Sequence, residues 1–264
     1  MSSSLTLTEQ SQTCVIHEDG TKHLRVPTKG TAVCFVEITS QVTSTEIIIN
    51  AEEASTLDCI VLVSGEGSSC AKVQLRSTVK SNGVIRWHCV ATAHRSSDVV
   101  LTSTLSGADA ESTINAVFFA SDSATHSLKA RNIFAAPRGS GEMTLRGIAE
   151  GHGTATIDGM IEITEQGQGT ETYLTEDVLM LDPTAKVDAI PGLEIRTNDV
   201  KASHSATISR VTEEDLFYFQ SRGIPEAIAR SMYTEGFLHH LLERIPDDAI
   251  RARVFSAILP SDHA

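Results

Sequence analysis

The sequence predicts a mainly β chain, a β-solenoid followed by a small helical region, and three observations point to it. Strand-like segments start about every 10–16 residues from Ile85 to Ser209, with Gly107, Gly141, Gly153 and Gly169 near the corners. Ser, Thr and Asn occupy positions that should face inward, which stacked coils tolerate because each repeats the one below. After residue 210 the apolar period changes from 2 to 3.6. A sandwich or barrel would also use many short strands. However, hairpin signals of the Asn-Gly kind are almost absent, Asn82-Gly83 being the one Asn-Gly, so the solenoid is the better reading.

Taken in order, Met1 to Gln12 is polar and Ser/Thr-rich and reads as a loose terminus, so residues 1–13 are assigned as flexible. Thr31–Ile38, Glu46–Asn50 and Leu57–Val63 are short alternating or β-branched runs, hence strands, with a turn at Ser64–Ser68. Nine segments follow: Ile85–Ala93, Val99–Leu105, Ser112–Ala120, His126–Ala135, Glu142–Ala149, Thr154–Ile163, Thr172–Leu181, Leu193–Thr197 and Ala202–Ser209. Residues 14–210 therefore form the β core and 211–264 the helical domain. Thr212-Glu-Glu-Asp215 is a capping-box-like start, and Gly223 suits the left-handed position after that helix. Pro225 is placed at the first position of a second helix whose apolar side is Ile228, Met232, Phe237 (slightly off phase), Leu238, Leu241 and Leu242. Pro246 opens a third, with Ile250, Val254, Ala257 and Ile258 as its stripe and Pro260 at its end. Such helices can cap a solenoid end or present a groove to a partner.

Composition narrows function by exclusion. Hydrophobic residues are 41% and charged residues 21%, ordinary for a globular chain. The net charge of −13 argues against a nucleic-acid groove. No apolar run reaches the roughly 20 residues that cross a bilayer, and no secretory signal pattern opens the chain. All five cysteines, Cys14, Cys34, Cys59, Cys70 and Cys89, precede residue 90, and none forms a C-x-x-C pair. Free thiols in a reducing, cytoplasmic setting are the expectation. There is no G-x-x-x-x-G-K-[ST] loop, so the chain is expected neither to bind nucleotide nor to hydrolyse ATP. Gly139-Ser-Gly141 lacks the strand–elbow–helix context of a hydrolase nucleophile.

Four ordered pieces carry a resemblance: Val178-Leu-Met-Leu-Asp-Pro183, Ala185-Lys-Val-Asp-Ala-Ile-Pro-Gly-Leu-Glu-Ile195, Asn198-Asp-Val-Lys-Ala-Ser-His-Ser-Ala-Thr207 and Asp215-Leu-Phe-Tyr-Phe-Gln-Ser-Arg-Gly-Ile224. Together they resemble the core of the SufB/SufD scaffolds of iron–sulfur cluster assembly, with a looser match back to about Ile85. The resemblance implies a right-handed parallel β-helix, a non-catalytic scaffold, and helices that dock a SufC-like ABC ATPase. It also implies pairing with a second SufB/SufD-type chain through the β-helices, and a transient iron–sulfur cluster near that interface. The chain reads as a compact, minimal form, without the N-terminal helical region of longer members, that pairs with itself.

Two positions take the cluster role by resemblance. His204, in Ser203-His-Ser-Ala-Thr207, stands where the SufD branch has a functional histidine. Glu176 falls where the SufB branch has a cysteine, and Ser205 where that branch has a glutamate. Imidazole and carboxylate are harder ligands than thiolate, which weakens selection for a cluster. Phe217, Tyr218, Phe219 and Arg222 are the expected docking cluster, since aromatic and Arg side chains dominate interface energetics. Each has a plainer reading: His204 as a hydrogen-bonded strand residue, Glu176 as a solvated edge carboxylate, the aromatics as packing. Glu194 reads as structural, and His239 and His240 as surface residues on different faces. His88 and Cys89 point to opposite sides of a strand. Two other functions stay open: an adaptor of an ABC-type ATPase that holds no cluster, and a β-helix polysaccharide enzyme using Asp158, Glu162 or Glu165.

Overall fold

Alternation with period 2 requires one wet and one dry face per strand, and coils of such strands hide their dry faces by stacking. The computed structural model describes residues 2–7, 12–65, 70–92, 96–121 and 123–258. Most of the turn expected at Ser64–Ser68, and Pro260, lie outside them. In chain order the strands are β1 (Ser2–Thr6), β2 (Gln12–Ile16), β3 (Gly20–Val26), β4 (Thr31–Ile38), β5 (Ser44–Ala51), β6 (Thr56–Val63), β7 (Ala71–Val79), β8 (Val84–Ala91) and β9 (Ser97–Leu105). They continue as β10 (Glu111–Ala120), β11 (Thr125–Phe134), β12 (Ser140–Ala149), β13 (Thr154–Ile163), β14 (Thr170–Met180), β15 (Lys186–Ala189), β16 (Gly192–Ile195) and β17 (Val200–Arg210). The helices are α1 (Glu213–Gln220), α2 (Glu226–Leu242) and α3 (Asp248–Ile258).

Successive strands alternate between two sheets. The odd strands β1 to β15, with β16, make a nine-stranded sheet; the even strands β2 to β14, with β17, make an eight-stranded one. Every pairing among them is parallel, which defines a β-solenoid rather than a sandwich of hairpins. The terminus expected to be loose instead opens the first coil. β1 pairs with β3 in register Ser2 to Thr21, because its Ser and Thr residues suit a strand laid on an existing coil.

A device invisible in composition aligns one corner of the coils. Lys29, Ala54, Asn82, Asp109 and Arg138 all have left-handed φ between 53° and 59°, and Gly169 takes the same place at 75°. Each donates its N–H to the next coil: Lys29 to Glu53 O, Ala54 to Ser81 O, Asn82 to Ala108 O, Asp109 to Pro137 O, Arg138 to Gln168 O and Gly169 to Asp199 O. Asn82-Gly83 is thus a solenoid corner and not a hairpin.

Inside, the apolar core is interrupted by buried polar pairs, among them Ser97 with His126 (2.8 Å), and by a longer polar ladder. Ser77, Ser103 and Asn132 are register partners in the nine-stranded sheet. Ser103 Oγ accepts from Ser77 Oγ (2.8 Å) and from Ser112 Oγ (2.7 Å), Trp87 Nε1 donates to Ser77 Oγ (3.2 Å), and Asn132 Nδ2 donates to Ser112 O (2.9 Å). Here hydrogen bonds replace apolar packing between the sheets.

Part of the outer face of the eight-stranded sheet is also buried, whereas Glu142, Glu171, Tyr173 and Lys201 on it are exposed. Strand alternation fails at Ile60-Val-Leu-Val63 and Ala116-Val-Phe-Phe-Ala120, where every residue is buried. The helices cover it. Phe35, Ile60, Leu62, Val90, Val117, Phe119, Ile148 and Leu179 form one core with Leu216, Leu238, Leu241, Ile250, Val254 and Ile258. Polar contacts add to it: Arg244 Nη1 donates to Asn115 Oδ1 (3.0 Å), Arg146 Nη1 to Phe237 O (2.6 Å), and Arg253 reaches Glu37 in β4. The helices therefore run back along the flank of the solenoid; they do not cap its end.

Three helix details differ from expectation. Thr212 does form a capping box with Asp215. Pro225, however, is the residue before α2, and Asp247 rather than Pro246 caps α3, its Oδ1 accepting from the Ala249 and Ile250 N–H groups. The buried side of α2 is Ala229, Thr234, Leu238, Leu241 and Leu242, with Tyr233 and Phe237 packed beside it. Ile228 and Met232 are 40% and 47% exposed, because the stripe follows the phase of Phe237.

Candidate functional site at the last coil

The solenoid ends on β17, the edge of the eight-stranded sheet. The strands between the edges of this sheet have a neighbouring coil on both sides; β17, like β2 at the other edge, has one. Val200 and Ala202 still pack against the main core, so the even-numbered residues of β17 point inward. His204 is the register partner of Leu174 and Ala206 that of Glu176. His204 and Glu176 are therefore diagonal neighbours on one face, roughly 8 Å apart at their α-carbons from strand spacing and rise. His204 is exposed, and Ile190, Ile195 and Ile208 of this coil are 54%, 41% and 51% exposed.

Glu176 is not a solvated edge residue. Its side chain is buried inside β14, between Leu145 of one coil and Ala206 of the next. The carboxyl fits because Gly159 faces it: a Cβ there would lie 2.5 Å from Oε1. Oε1 accepts the Gly159 N–H at 2.8 Å, while Oε2 is buried without a hydrogen-bond partner. Burial pushes the carboxyl from 4.5 up to about 7, against the lowering effect of the Gly159 bond, and the Asp158 charge adds to the rise. An unpaired buried carboxyl oxygen is costly, which makes this the most unusual polar group of the last two coils.

Glu176 and His204 stand as a pair. Among the described residues no three His, Cys, Asp or Glu side chains converge on a metal position. Glu194 points out to Arg196. His239 and His240 are exposed, and His239 pairs with Glu243 at 3.0 Å. His88 faces outward under the helices, 3.8 Å from Asp58, whereas Cys89 faces inward. Glu162 is the register partner of Glu194 and lies 4.0 Å from Arg131, and Arg196 feels the charges of Glu194, Glu162 and Glu165 together, so cations neutralise these carboxylates.

The aromatic cluster of α1 is divided. Phe217 and Tyr218 are 68% and 55% exposed, and the Arg222 guanidinium lies 3.8 Å from the Tyr218 ring centroid. Phe219 turns inward onto Tyr233, with ring centroids 5.6 Å apart. Beside Phe217 an open groove of about 850 Å³ is lined by Leu181, Arg210, Val211, Leu216 and Arg230. β17 leads into α1 through Val211 and Thr212, so the open coil and these aromatics are adjacent in the chain. No described helix is long and apolar enough to cross a membrane.

Comparison with known proteins agrees with this architecture. The family model described as SUF system FeS cluster assembly, SufBD core domain, matches residues 4–237. An iron–sulfur cluster assembly SufBD family protein of Mycobacterium tuberculosis is 29% identical over 142 residues, 54% of this chain and 17% of that protein. The iron–sulfur cluster assembly protein SufD of Escherichia coli is 34% identical over 111 residues, 42% of this chain and 26% of SufD. A second SufBD family protein of M. tuberculosis is 39% identical over 101 residues, 38% of this chain and 25% of that protein. The match thus spans about a quarter or less of each of these relatives.

Proposed function

The chain belongs to the SufBD core family of the SUF system, and we propose on that basis that it is a non-catalytic scaffold in iron–sulfur cluster assembly. The cluster is its cargo. The observation that carries the reading is the last coil, where His204 and Glu176 share an inward face closed from one side only. Iron would bind there through the imidazole and the deprotonated carboxylate, and its charge would satisfy the orphan Oε2. Two ligands leave most cluster positions to other donors. The eleven-residue edge of β17, with Ile190, Ile195 and Ile208 exposed around it, favours a second chain of this type paired on that end. Phe217, Tyr218 and Arg222 would anchor a SufC-like ABC ATPase, and Phe219 would hold α1 in place. A cytoplasmic location goes with this role.

Anaerobic reconstitution tests it. The full chain with its ATPase partner is supplied with ferrous iron and sulfide, and the visible absorbance of a cluster is recorded. His204→Ala and Glu176→Ala should each lower the absorbance severalfold; unchanged absorbance would remove these residues from the site. Phe217→Ala with Tyr218→Ala should abolish co-purification of the ATPase while melting is unaltered. A second reading has its own support: no cysteine follows Cys89, and no three ligands converge among the described residues. If the wild type forms no cluster but retains the ATPase, the chain is an adaptor for that ATPase.

A further inference from the structure

At the opposite end, the interior of the solenoid carries thiols that the scaffold reading does not use. Cys34 in β4 and Cys59 in β6 are exact register partners, and both are fully buried in the main core. Adjacent parallel strands lie about 4.8 Å apart, so two inward thiols at one register level meet. The two thiols are coupled: interaction between them draws Cys34 below the usual thiol range and lifts Cys59 well above it, with burial adding to the rise at Cys59. Both are free thiols, as are Cys14 and Cys89.

The flanking thiols continue the line. Cys14 in β2 is the register partner of Val36, one diagonal step from Cys34. Cys89 in β8 is the register partner of Val61, one diagonal step from Cys59. Cys14 is half-buried and sits on the first strand of the sheet, so the line starts near solvent and leads inward. Asp58, next to Cys59 in sequence, points to the other face, towards Arg86 and His88. The row at this level runs Gln12, Cys34, Cys59 and Trp87, so its soft donors are the two thiols, and the Gln12 amide beside Cys34 is a harder and weaker ligand.

Coordination number decides what such a pair can hold. No three ligand side chains converge among the described residues, which leaves out a tetrahedral zinc or a cluster bound here. Two thiolates suffice for a soft monovalent d¹⁰ ion, which prefers linear coordination and sulfur donors. We propose that Cys34 and Cys59 form a binding site for one soft monovalent metal ion of the copper(I) type, held between the two sulfurs and admitted past Cys14. Binding replaces both S–H bonds by metal–sulfur bonds and releases two protons, giving a bis-thiolate complex with one negative charge; no oxidant or reductant takes part. Affinity therefore rises with pH. The proposal is independent of the His204 and Glu176 assignment, and either can fail alone.

The test uses the reduced full chain, anaerobically, with copper(I) distributed between protein and a chromophoric copper(I) chelator. One equivalent should bind, with X-ray absorption reporting two sulfur neighbours. Cys34→Ser and Cys59→Ser should each weaken binding at least about 100-fold, more than loss of a supporting hydrogen-bond partner costs at a metal site. Cys70→Ser, at the exposed cysteine, should leave it unchanged. Wild-type affinity in the Cys34 and Cys59 variants, or loss of binding in Cys70→Ser, would overturn the site. Should the serine variants fail to fold, Cys34→Ala and Cys59→Val keep the core apolar. The wild-type spectrum also decides alone: three or more sulfur neighbours, or nitrogen and oxygen neighbours, contradict the pair.

Discussion

Glu176→Gln tests the interior of the last coil through the pH dependence of stability. The carboxyl of Glu176 is lifted from 4.5 to about 7 in the folded chain, mainly by burial. A lift of that size corresponds to about 3 kcal/mol between the two protonation states. The folded pKa is the higher one, so the folded state holds the proton more tightly than the unfolded chain. Below about pH 4.5 both states are protonated and the full contribution is present. As pH rises towards 7 the unfolded chain ionises first, and stability falls by about 3 kcal/mol before levelling off. Glutamine keeps an oxygen for the Gly159 N–H at a nearly equal volume and does not titrate. Urea unfolding of wild type and variant between pH 4.5 and 8 measures the difference. The advantage of the variant should grow by about 3 kcal/mol across that range. All other titrating groups are common to both proteins and cancel. Parallel profiles would refute the argument, because they would mean that the Glu176 carboxyl titrates alike in the folded and unfolded chains.

Other substitutions probe neighbouring parts. Gly159→Ala places a methyl 2.5 Å from Glu176 Oε1 and 2.9 Å from Leu174 Cδ1, so thermal unfolding should report a loss of about 1–3 kcal/mol. Glu176→Ala in the same chain should recover part of that loss, since the nearest clash is then gone. Ser103→Ala leaves the Ser77 and Ser112 hydroxyls without their shared acceptor and should cost about 1–3 kcal/mol in urea unfolding. Ala54→Gly relieves a left-handed residue at the solenoid corner, and after the larger unfolded-state entropy of glycine it should stabilise by about 0.5–1 kcal/mol. Phe219→Ala should lower stability by about 1–2 kcal/mol through its ring contact with Tyr233, whereas Phe217→Ala should change it by less than about 0.5 kcal/mol.

Legibility of the fold in the sequence follows the regularity of burial. Thr154–Ile163 and Thr31–Ile38 were readable to the residue, the former because its inward and outward positions alternate without a break. The four-residue β15 was not, since two inward residues, Val187 and Ala189, are too few to set a period. The lateral seat of the helices had a signal in Ile60-Val-Leu-Val63 and Val117-Phe-Phe-Ala120: strands apolar on both sides need cover on both sides. Phe237, out of phase with Ile228 and Met232, marked the true face of α2. The left-handed corner could not be read, because Lys, Ala, Asn, Asp and Arg share no preference that marks it; stacking imposes it. At the candidate site, His204 and the exposed aromatics came from motif resemblance, but the burial of Glu176 did not. Its available signal was Gly159, a glycine at an inward strand position, which marks close approach by another group.

The rows of inward residues explain why the ionisable side chains other than the thiols gather at the open end of this solenoid. One row of the eight-stranded sheet runs Cys34, Cys59, Trp87, Ile114, Met143, Leu174 and His204. The next runs Cys14, Val36, Val61, Cys89, Ala116, Leu145, Glu176 and Ala206. Between the thiols and the last two coils every member except the Trp87 nitrogen is apolar, because a polar side chain there would be sealed on both sides and would need a partner in its own or the next coil. The ionisable members of these rows beyond the thiols, Glu176 and His204, occur only in the last two coils. His204 lies in the coil that nothing covers, and Glu176 one coil deeper, its Oε2 unpaired. A carboxyl oxygen buried without a partner persists only if something offsets its cost. On the proposed reading an incoming cation would do so, and the exposed isoleucines of the same coil would give a second chain apolar area to exclude water around it. A stacked partner would raise the cost of leaving Glu176 charged and alone, and so would tighten cation binding and pairing together. Pairing measured by sedimentation with and without ferrous iron should therefore show tighter association with the metal in the wild type and no such gain in Glu176→Gln.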